Sequence, residues 1–244
     1  MLRWLFCQGQ WSKVYLSMDL IGNAFRYLSS FAEEQPVSYY TSKIGPDIEV
    51  CLINGRYQIN AGNVNYSYGP LHDAFRRYFN LDPPPSGKEF PVLVLGFGGG
   101  SIASILRVER EMSNPITGVE IDAMMIKAGR EHFNLDRIEG LDIIVMDALE
   151  FIRQCYEKYA LIITDIYVDE FVPAVFEQKE FLEEVKRCLL PDGKLVFNKL
   201  VANTDTESEK TALEKLFTEI FPNTRTFKVP VNKKMPNYMI TGMI

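Results

Sequence analysis

The sequence predicts an α/β protein built on one doubly wound parallel sheet. From residue 91 onward, short apolar runs alternate with amphipathic stretches, which is typical of strands and helices that alternate along such a sheet. The chain has 244 residues, enough for one domain of this kind with a modest extra element but not for two full enzyme domains. Its hydrophobic content of 47% supplies the residues for a core.

Seven strands are predicted in this region. The segments are PVLVLG, PITGVEID, LDIIVMD, ALIITDIY, GKLVFNKL and, nearer the end, TRTFKVPV and NYMITGM. Between the fourth and fifth strands, apolar residues from Phe181 to Leu190 recur at helical spacing. The Pro-Asp-Gly sequence that follows predicts the end of this helix.

The residues before this region predict a smaller N-terminal subdomain, made of a helix and a β-hairpin. LDPPPSGKEFP is rich in breakers and separates residues 1–81 from the main domain at 91–244. Apolar spacing predicts a helix over residues 13–33. DIEVCLINGRYQIN predicts a hairpin around Asn54-Gly55, and Pro70 opens a short helix in YGPLHDAFRRYF.

Charge and composition exclude several functions. The formal net charge of -6 argues against duplex nucleic acid or an anionic membrane as the main partner. Four scattered cysteines and two histidines, without a C-x-x-C motif, predict reduced thiols and no metal site. Polar residues interrupt the apolar start before a membrane span is complete, so we expect a cytoplasmic protein.

The first predicted strand runs into a glycine loop, VLVLGFGGGSIASIL. In open α/β sheets ligands bind beyond the carboxyl ends of the strands, where the strand order reverses. Gly96, Gly98, Gly99 and Gly100 allow a sharp turn and close approach of a ligand to the backbone and to the following helix. The absence of a Gly-Lys-Ser/Thr sequence excludes ATP bound in the Walker manner.

Acidic residues end the next three predicted strands, and they favour an adenosyl ligand over a dinucleotide. Glu120, followed by Ile121, is placed to accept hydrogen bonds from ribose hydroxyls in either ligand class. Asp147 can accept from an adenine amino group while Ala148 leaves room for the ring, and Asp165 adds a carboxylate for a cationic tail. The alternative is that Asp147 only caps the following helix.

These segments together resemble the spermidine synthase-like group of class I S-adenosylmethionine-dependent transferases. The resemblance includes GVEID, VMDALEFI and YALIITDIY, and LINGRYQINAGNVNYSYGPLH resembles the group's N-terminal hairpin motif. It implies a seven-stranded Rossmann-like methyltransferase sheet. It also implies roles for Gly96, Gly98 and Gly100 in the glycine loop, Glu120 at ribose, Asp147 and Ala148 at adenine, Gln58 at the cofactor's tail, Asp165 in catalysis, and Tyr66 and His72 in the hairpin motif.

The sequence departs from this family where a polyamine would be held. Gly99 replaces the aspartate of the glycine loop, Gly62-Asn63 replaces an Asp-Glu pair, and Ser67-Tyr68 replaces a His-Glu pair. Val168 replaces a second aspartate near Asp165, with Asp169 displaced by one position. Because several ammonium charges need several carboxylates when they leave water, these departures disfavour a polyamine acceptor.

The sequence therefore predicts a methyltransferase that uses S-adenosylmethionine, with an unknown small-molecule or protein acceptor. Asp165, seconded by Asp169, is predicted to orient the acceptor and take its proton. Tyr66, Tyr68, Tyr167 and His72 are predicted to contact the substrate, the tyrosines as aromatic walls.

Three alternatives stay open. The first is an aminopropyltransferase that uses decarboxylated S-adenosylmethionine, and the second is a non-catalytic protein that binds an adenosyl ligand. A nicotinamide oxidoreductase is a more distant alternative, because the third glycine of the dinucleotide fingerprint falls on Ser101. The resemblance also implies a homodimer.

Overall fold

The computed structural model describes residues 22–62, 64–169, 171–231 and 235–244. The first described helix, α1, covers residues 22–29, within the range predicted from spacing. The earlier part of that predicted helix and Asn63 lie outside the described residues.

A seven-stranded sheet forms the larger part of the structure and confirms the predicted fold class. Its order is β10-β11-β9-β8-β5-β6-β7, and every neighbouring pair is parallel except those made by β11, which runs antiparallel to both β9 and β10. The order reverses between β5 and β8. The strands are β5 (Val92–Leu95), β6 (Ile116–Glu120), β7 (Leu141–Val145), β8 (Tyr159–Thr164), β9 (Leu189–Leu200), β10 (Asn223–Val229) and β11 (Asn237–Met243).

Helices cover both faces of this sheet, which is why its central strands are apolar throughout. Leu93 and Leu95 face one apolar cluster and Val92 and Val94 face another, as the two-residue period of a strand requires. The first cluster includes residues of α5 (Ala148–Gln154), α6 (Lys179–Arg187) and α7 (Thr204–Ile220). The second includes residues of α2 (Pro70–Leu81), α3 (Ser101–Ser104) with its π-helical continuation Ile105–Glu109, and α4 (Ala123–Phe133).

The helix predicted to run to the Pro-Asp-Gly sequence ends earlier, and that prediction was wrong. Helix α6 stops at Arg187, whose guanidinium donates to the carbonyl oxygens of Ile152 and Cys155. Strand β9 starts at Leu189 and already contains Pro-Asp-Gly, where Asp192 has a φ of 61°. Leu189 and Leu190 are therefore strand residues, and their apolar character matches the helical spacing by coincidence.

A smaller antiparallel sheet precedes the large one. It contains β1 (Gln35–Tyr40), β2 (Ile48–Ile53), β3 (Arg56–Ala61) and β4 (Val64–Ser67), in that order. The predicted hairpin is present, with Asn54 and Gly55 at φ values of 51° and 73°, as a tight two-residue turn requires. The flanking strands β1 and β4 were not predicted. The division of the chain into 1–81 and 91–244 stays a prediction.

The small sheet packs against α4. Ile48, Val50 and Ile59 are buried in one cluster with Met125 and Ala128 of that helix. Among the helices of the described ranges, none combines the length and the apolar character needed to cross a bilayer.

Helix α4 also approaches the glycine loop closely, at Gly129. A Cβ atom there would lie 2.5 Å from Leu135 Cδ1 and 3.0 Å from the Gly99 carbonyl oxygen. Leu135 cannot easily move away, because its other methyl group packs directly against Gly100. Cδ2 lies 2.3 Å from where a Cβ atom would be on that glycine.

We expect Gly129→Ala to destabilise the protein. Alanine in a helix normally gains about 1 kcal/mol over glycine, but overpacking costs about 1–3 kcal/mol, and the close backbone contact favours the larger cost. Denaturant unfolding measures the result, with the exposed Lys127→Ala of the same helix as control. A variant more stable than the wild type would show that Leu135 has room to move.

Candidate active site

A cavity of about 330 Å³ lies at the carboxyl ends of the central strands. This is where the strand order reverses, the usual ligand position in such sheets. The segments that follow β5, β6, β7 and β8 line it, together with residues of β4 and of the loop before β2. Nine of the predicted site residues line it, namely Tyr66, Gly96, Gly98, Glu120, Ile121, Asp147, Ala148, Asp165 and Tyr167.

The glycine loop turns too tightly against β8 to carry a side chain at its first position. Gly96 has a φ of 79°, and a Cβ atom there would lie 2.3 Å from the Asp165 carbonyl oxygen. Gly98 has a φ of 57°, and its N–H donates to Glu120 Oε2 over 2.8 Å. The two glycines that line the cavity thus bring the backbone of the loop close to Asp165 and to Glu120.

Glu120 binds the glycine loop and the start of α4 at the same time. Oε2 accepts from Gly98, and Oε1 accepts from the Asp122 N–H over 3.0 Å. Burial raises the pKa of Glu120, and the hydrogen bonds from these two N–H groups oppose that rise. Each carboxylate oxygen retains a second lone pair, so the group can also accept from a ligand hydroxyl.

Asp147 caps the helix that follows it, α5. Its Oδ1 accepts from the N–H groups of Leu149 and Glu150, both over 2.9 Å, at the start of α5. Asp147 and Ala148 also line the cavity. Because both capping bonds use one oxygen, capping does not prevent the other oxygen from accepting a hydrogen bond.

Asp165 is the third acid of the cavity and the most perturbed. Its Oδ1 accepts from Asn198 Nδ2 over 2.8 Å. The pKa of Asp165 is raised to about 7, mainly by burial and also by the negative charge of Glu120, while the hydrogen bond from Asn198 opposes the rise. A carboxyl that titrates near neutral pH can exchange a proton with a bound ligand under ordinary conditions.

The two tyrosines of the cavity have hydroxyls that are already engaged. Tyr167 Oη donates to the Asn198 carbonyl oxygen over 2.8 Å and accepts from the Leu200 N–H over 2.9 Å. Tyr66 Oη accepts from the Asp169 N–H over 3.0 Å. A ligand would therefore meet Tyr167 mainly through its ring, whereas the Tyr66 hydroxyl still has a proton that it could donate to a ligand.

The other six predicted site residues do not line the cavity: Gln58, Tyr68, His72, Gly99, Gly100 and Asp169. Tyr68 instead stacks on Phe133, with ring centroids 3.8 Å apart, and on His72, at 5.5 Å. His72 Nε2 lies 2.5 Å from Glu109 Oε1. Tyr68 and His72 thus pack outside the cavity lining, and their predicted substrate contacts stay a prediction.

Gly99 and Gly100 serve packing as well. The Gly99 N–H donates to Ser67 Oγ over 2.9 Å, and a Cβ atom on Gly99 would lie 2.2 Å from Ile59 Cδ1. Gly99, which stands where the spermidine synthase-like group has an aspartate, therefore faces the small sheet. Asp169 is exposed at a φ of 53° and lies beside Gly62, outside the cavity lining, and its role as a second base stays a prediction.

Sequence reasoning missed most of the cavity wall, which is largely apolar. These residues lie on separate strands, helices and loops and share no local motif, so no sequence signal groups them. Three of them are also exposed at the rim, Ile44 by 56%, Val168 by 55% and Val175 by 41%. The missed lining residues are Ile44, Asn65, Leu71, Val119, Met146, Leu149, Ile166, Val168, Pro173, Val175, Phe176 and Leu200.

Comparison with known proteins assigns the family. The spermine/spermidine synthase domain matches residues 85–244 of this chain. The chain belongs to this family. A probable polyamine aminopropyl transferase of Bifidobacterium longum is 30% identical over 139 residues, which are 57% of this chain and 30% of the relative.

Methyltransferases are also among the relatives. An eEF1A lysine and N-terminal methyltransferase homolog of Drosophila melanogaster is 25% identical over 155 residues, which are 60% of this chain and 22% of the relative. The chain thus matches less than a third of the length of either of these relatives.

Solved structures share the fold at low identity. A probable spermidine synthase from Corynebacterium glutamicum gives a TM-score of 0.70 at 20% identity, covering 85% of this chain and 80% of the other. Human methyltransferase-like protein 13, solved in complex with SAH, gives 0.54 at 21% identity, covering 72% and 78%. The fold thus occurs with both transfer chemistries named in these comparisons.

We expect Asp165→Asn to stabilise the protein increasingly as the pH rises. The folded-state pKa of Asp165, about 7, lies above the ordinary value of 3.8, so its favourable contribution is complete below the ordinary value and is lost as the pH rises through 7. Asparagine keeps an oxygen for Asn198 and carries no charge. Melting temperatures between about pH 4 and 8 should diverge by several degrees.

The control for this experiment is Asp142→Asn, which changes an exposed carboxyl of β7. A difference between Asp165→Asn and the wild type that stays constant over this pH range would mean that Asp165 is ionised throughout.

Proposed function

We propose that this protein is an S-adenosylmethionine-dependent methyltransferase on a spermidine synthase scaffold. One observation carries the proposal: the cavity has three carboxylates, each at or just after the carboxyl end of a parallel strand, and a lining that is otherwise neutral and mostly apolar. Three such acids are enough for an adenosyl donor, which would use two of them, and for one base in the transfer reaction. They do not provide the additional negative charge that a polyamine acceptor would require.

The described residues can accommodate the donor in parts. Gly96 and Gly98 allow close approach to the backbone, Glu120 is proposed to accept from the ribose hydroxyls, and Asp147 with Ala148 to receive the adenine. When bound, the donor supplies a methyl group activated by a sulfonium. The protein then has to align the acceptor for in-line displacement and to keep the reacting atoms away from water.

Asp165 is proposed as the base. As the acceptor atom forms its bond to the methyl carbon, the bond from that carbon to sulfur breaks and its electron pair stays on sulfur. The acceptor then gives up a proton, which Asp165 can take because its pKa is about 7. Asn198 holds one oxygen of Asp165 in place during this transfer.

The rim of the cavity supports an acceptor with an apolar body. Ile44, Val168 and Val175 line the cavity and are also exposed, so an apolar group that covers them would gain free energy by removing that surface from water. This acceptor class separates the proposal from the aminopropyltransferase alternative, which the family and the Bifidobacterium longum relative keep open.

Three further proposals come from the sequence. They are a cytoplasmic location, a homodimer, and the division into residues 1–81 and 91–244. Three free and buried cysteines, Cys51, Cys155 and Cys188, support the first of these. A non-catalytic adenosyl-binding protein is the outcome if donor binding is found and no transfer follows.

The donor proposal is tested first by calorimetry with S-adenosylmethionine, its decarboxylated form, methylthioadenosine and NAD. We expect S-adenosylmethionine to bind more tightly than its decarboxylated form and NAD not to bind. Glu120→Gln should weaken the binding of S-adenosylmethionine and of methylthioadenosine alike, by about tenfold or more, because both ligands contain the ribose. The exposed Glu150→Gln is the control.

Tighter binding of the decarboxylated form would instead favour aminopropyl transfer. Loss of affinity for only one of the two adenosyl ligands in Glu120→Gln would contradict the ribose assignment.

The acceptor class is tested with the protein saturated with S-adenosylhomocysteine. We expect octan-1-ol to bind more tightly than 1,8-diaminooctane, which has the same chain length but two ammonium groups. Val168→Asp should weaken the binding of octan-1-ol by about tenfold, because it places a charge on the apolar rim. Val108→Asp, at a 65% exposed valine outside the cavity lining, is the control. Preference for the diamine would overturn the proposed acceptor class.

A further inference from the structure

Two buried amides extend inward from Asp165. Asn198 of β9 is fully buried and donates from Nδ2 to Asp165 Oδ1 over 2.8 Å. Asn237 of β11 is 5% exposed and donates from Nδ2 to Asn198 Oδ1 over 2.9 Å. The three side chains form one line of hydrogen bonds across neighbouring strands, in which each amide donates toward the acid.

The chemistry of the amide makes the direction of this line important. A side-chain amide has a donor end and an acceptor end, whereas an ionised carboxylate only accepts. If Asn198 were rotated by half a turn, its oxygen would face Asp165 and its Nδ2 would face the donor of Asn237. Both contacts would then be unfavourable, so donation from Asn237 holds Asn198 in the orientation that suits a carboxylate.

The backbone supports the same arrangement. Asn237 pairs with Leu200 in the ladder between β11 and β9, two residues from Asn198, so its side chain reaches the amide diagonally across the ladder. The Asn198 carbonyl oxygen accepts from Tyr167 Oη. The position of Asn198 is thus fixed by both its main chain and its side chain.

We infer that Asn237 is a positioning residue of the active site, which acts through Asn198 to keep Asp165 in its proton-accepting form. The inference rests on the proposed role of Asp165 as the base. Asn237 lies about forty residues from the nearest cavity residue in the sequence and is not among the residues that line the cavity.

Other groups near Asp165 act in the opposite direction. Burial and the negative charge of Glu120 both favour the protonated form of Asp165. Tyr167 contributes a hydroxyl whose pKa is raised well above its ordinary value by burial and by the Asp165 charge, so it stays neutral. Donation from Asn198 is the contribution that favours ionisation, and any change that lets this amide rotate should shift the titration of Asp165 upward.

The test is a titration of Asp165 by carbon-13 NMR of its carboxyl group in donor-free protein, with the signal assigned through Asp165→Asn. We expect Asn237→Leu and Asn198→Ala each to raise the midpoint by about one pH unit, because each removes or misdirects one charge-assisted hydrogen bond. The double variant should shift no further than Asn198→Ala alone, because Asn237 acts through Asn198.

Thr241→Val is the control, since it removes a side-chain hydrogen bond from the same strand without touching Asn198. An unchanged midpoint in folded Asn237→Leu, or shifts that add in the double variant, would overturn the inference. If variants at 198 do not fold, the comparison of Asn237→Leu with Thr241→Val decides. Because no donor is present, the result is independent of whether S-adenosylmethionine is the ligand.

Discussion

The close packing of backbone around residues 96–100 is the constraint on which the site depends. Gly96 passes against the Asp165 carbonyl, Gly98 donates to Glu120, and Gly99 faces Ile59 of the small sheet. Each neighbour belongs to an element that also builds the cavity or covers it. Because glycines leave no side chain to separate these elements, the loop sets their spacing and holds Glu120 and Asp165 close to its backbone.

The three acids of the cavity differ in how well hydrogen-bond donors compensate their burial. Asp147 has two backbone N–H groups at the start of a helix, which is a favourable place for a carboxylate. Glu120 has backbone donors that partly offset its desolvation. Burial raises the pKa of Asp165 to about 7, because its single side-chain donor, Asn198, offsets the desolvation only in part and the charge of Glu120 adds to it. The difference in donors separates two acids suited to binding from one suited to proton transfer.

The sequence was informative where a local pattern carries the structure. Seven strands, the Asn54-Gly55 turn and the strand-end acids follow from runs and spacings that a short window contains. Strands β1 and β4 could not be predicted, because they become strands by pairing with the hairpin, and β4 has only four residues. The apolar wall and the position of Asn237 depend on loops and strands meeting in space. The packing of Tyr68 and His72 outside the cavity lining could not be predicted either, because motif resemblance fixes a position in the chain and not the direction of a side chain.

The contact between Ile59 and Gly99 restricts how this chain could change over evolutionary time. A family member with an aspartate at this loop position needs space that Ile59 occupies here, 2.2 Å from the Cβ position of Gly99. An aspartate at position 99 would therefore require the end of the buried Ile59 side chain to move. The small residue in the loop and the large one in β3 are a matched pair, so we expect the residues at positions 99 and 59 to vary together among relatives of this chain.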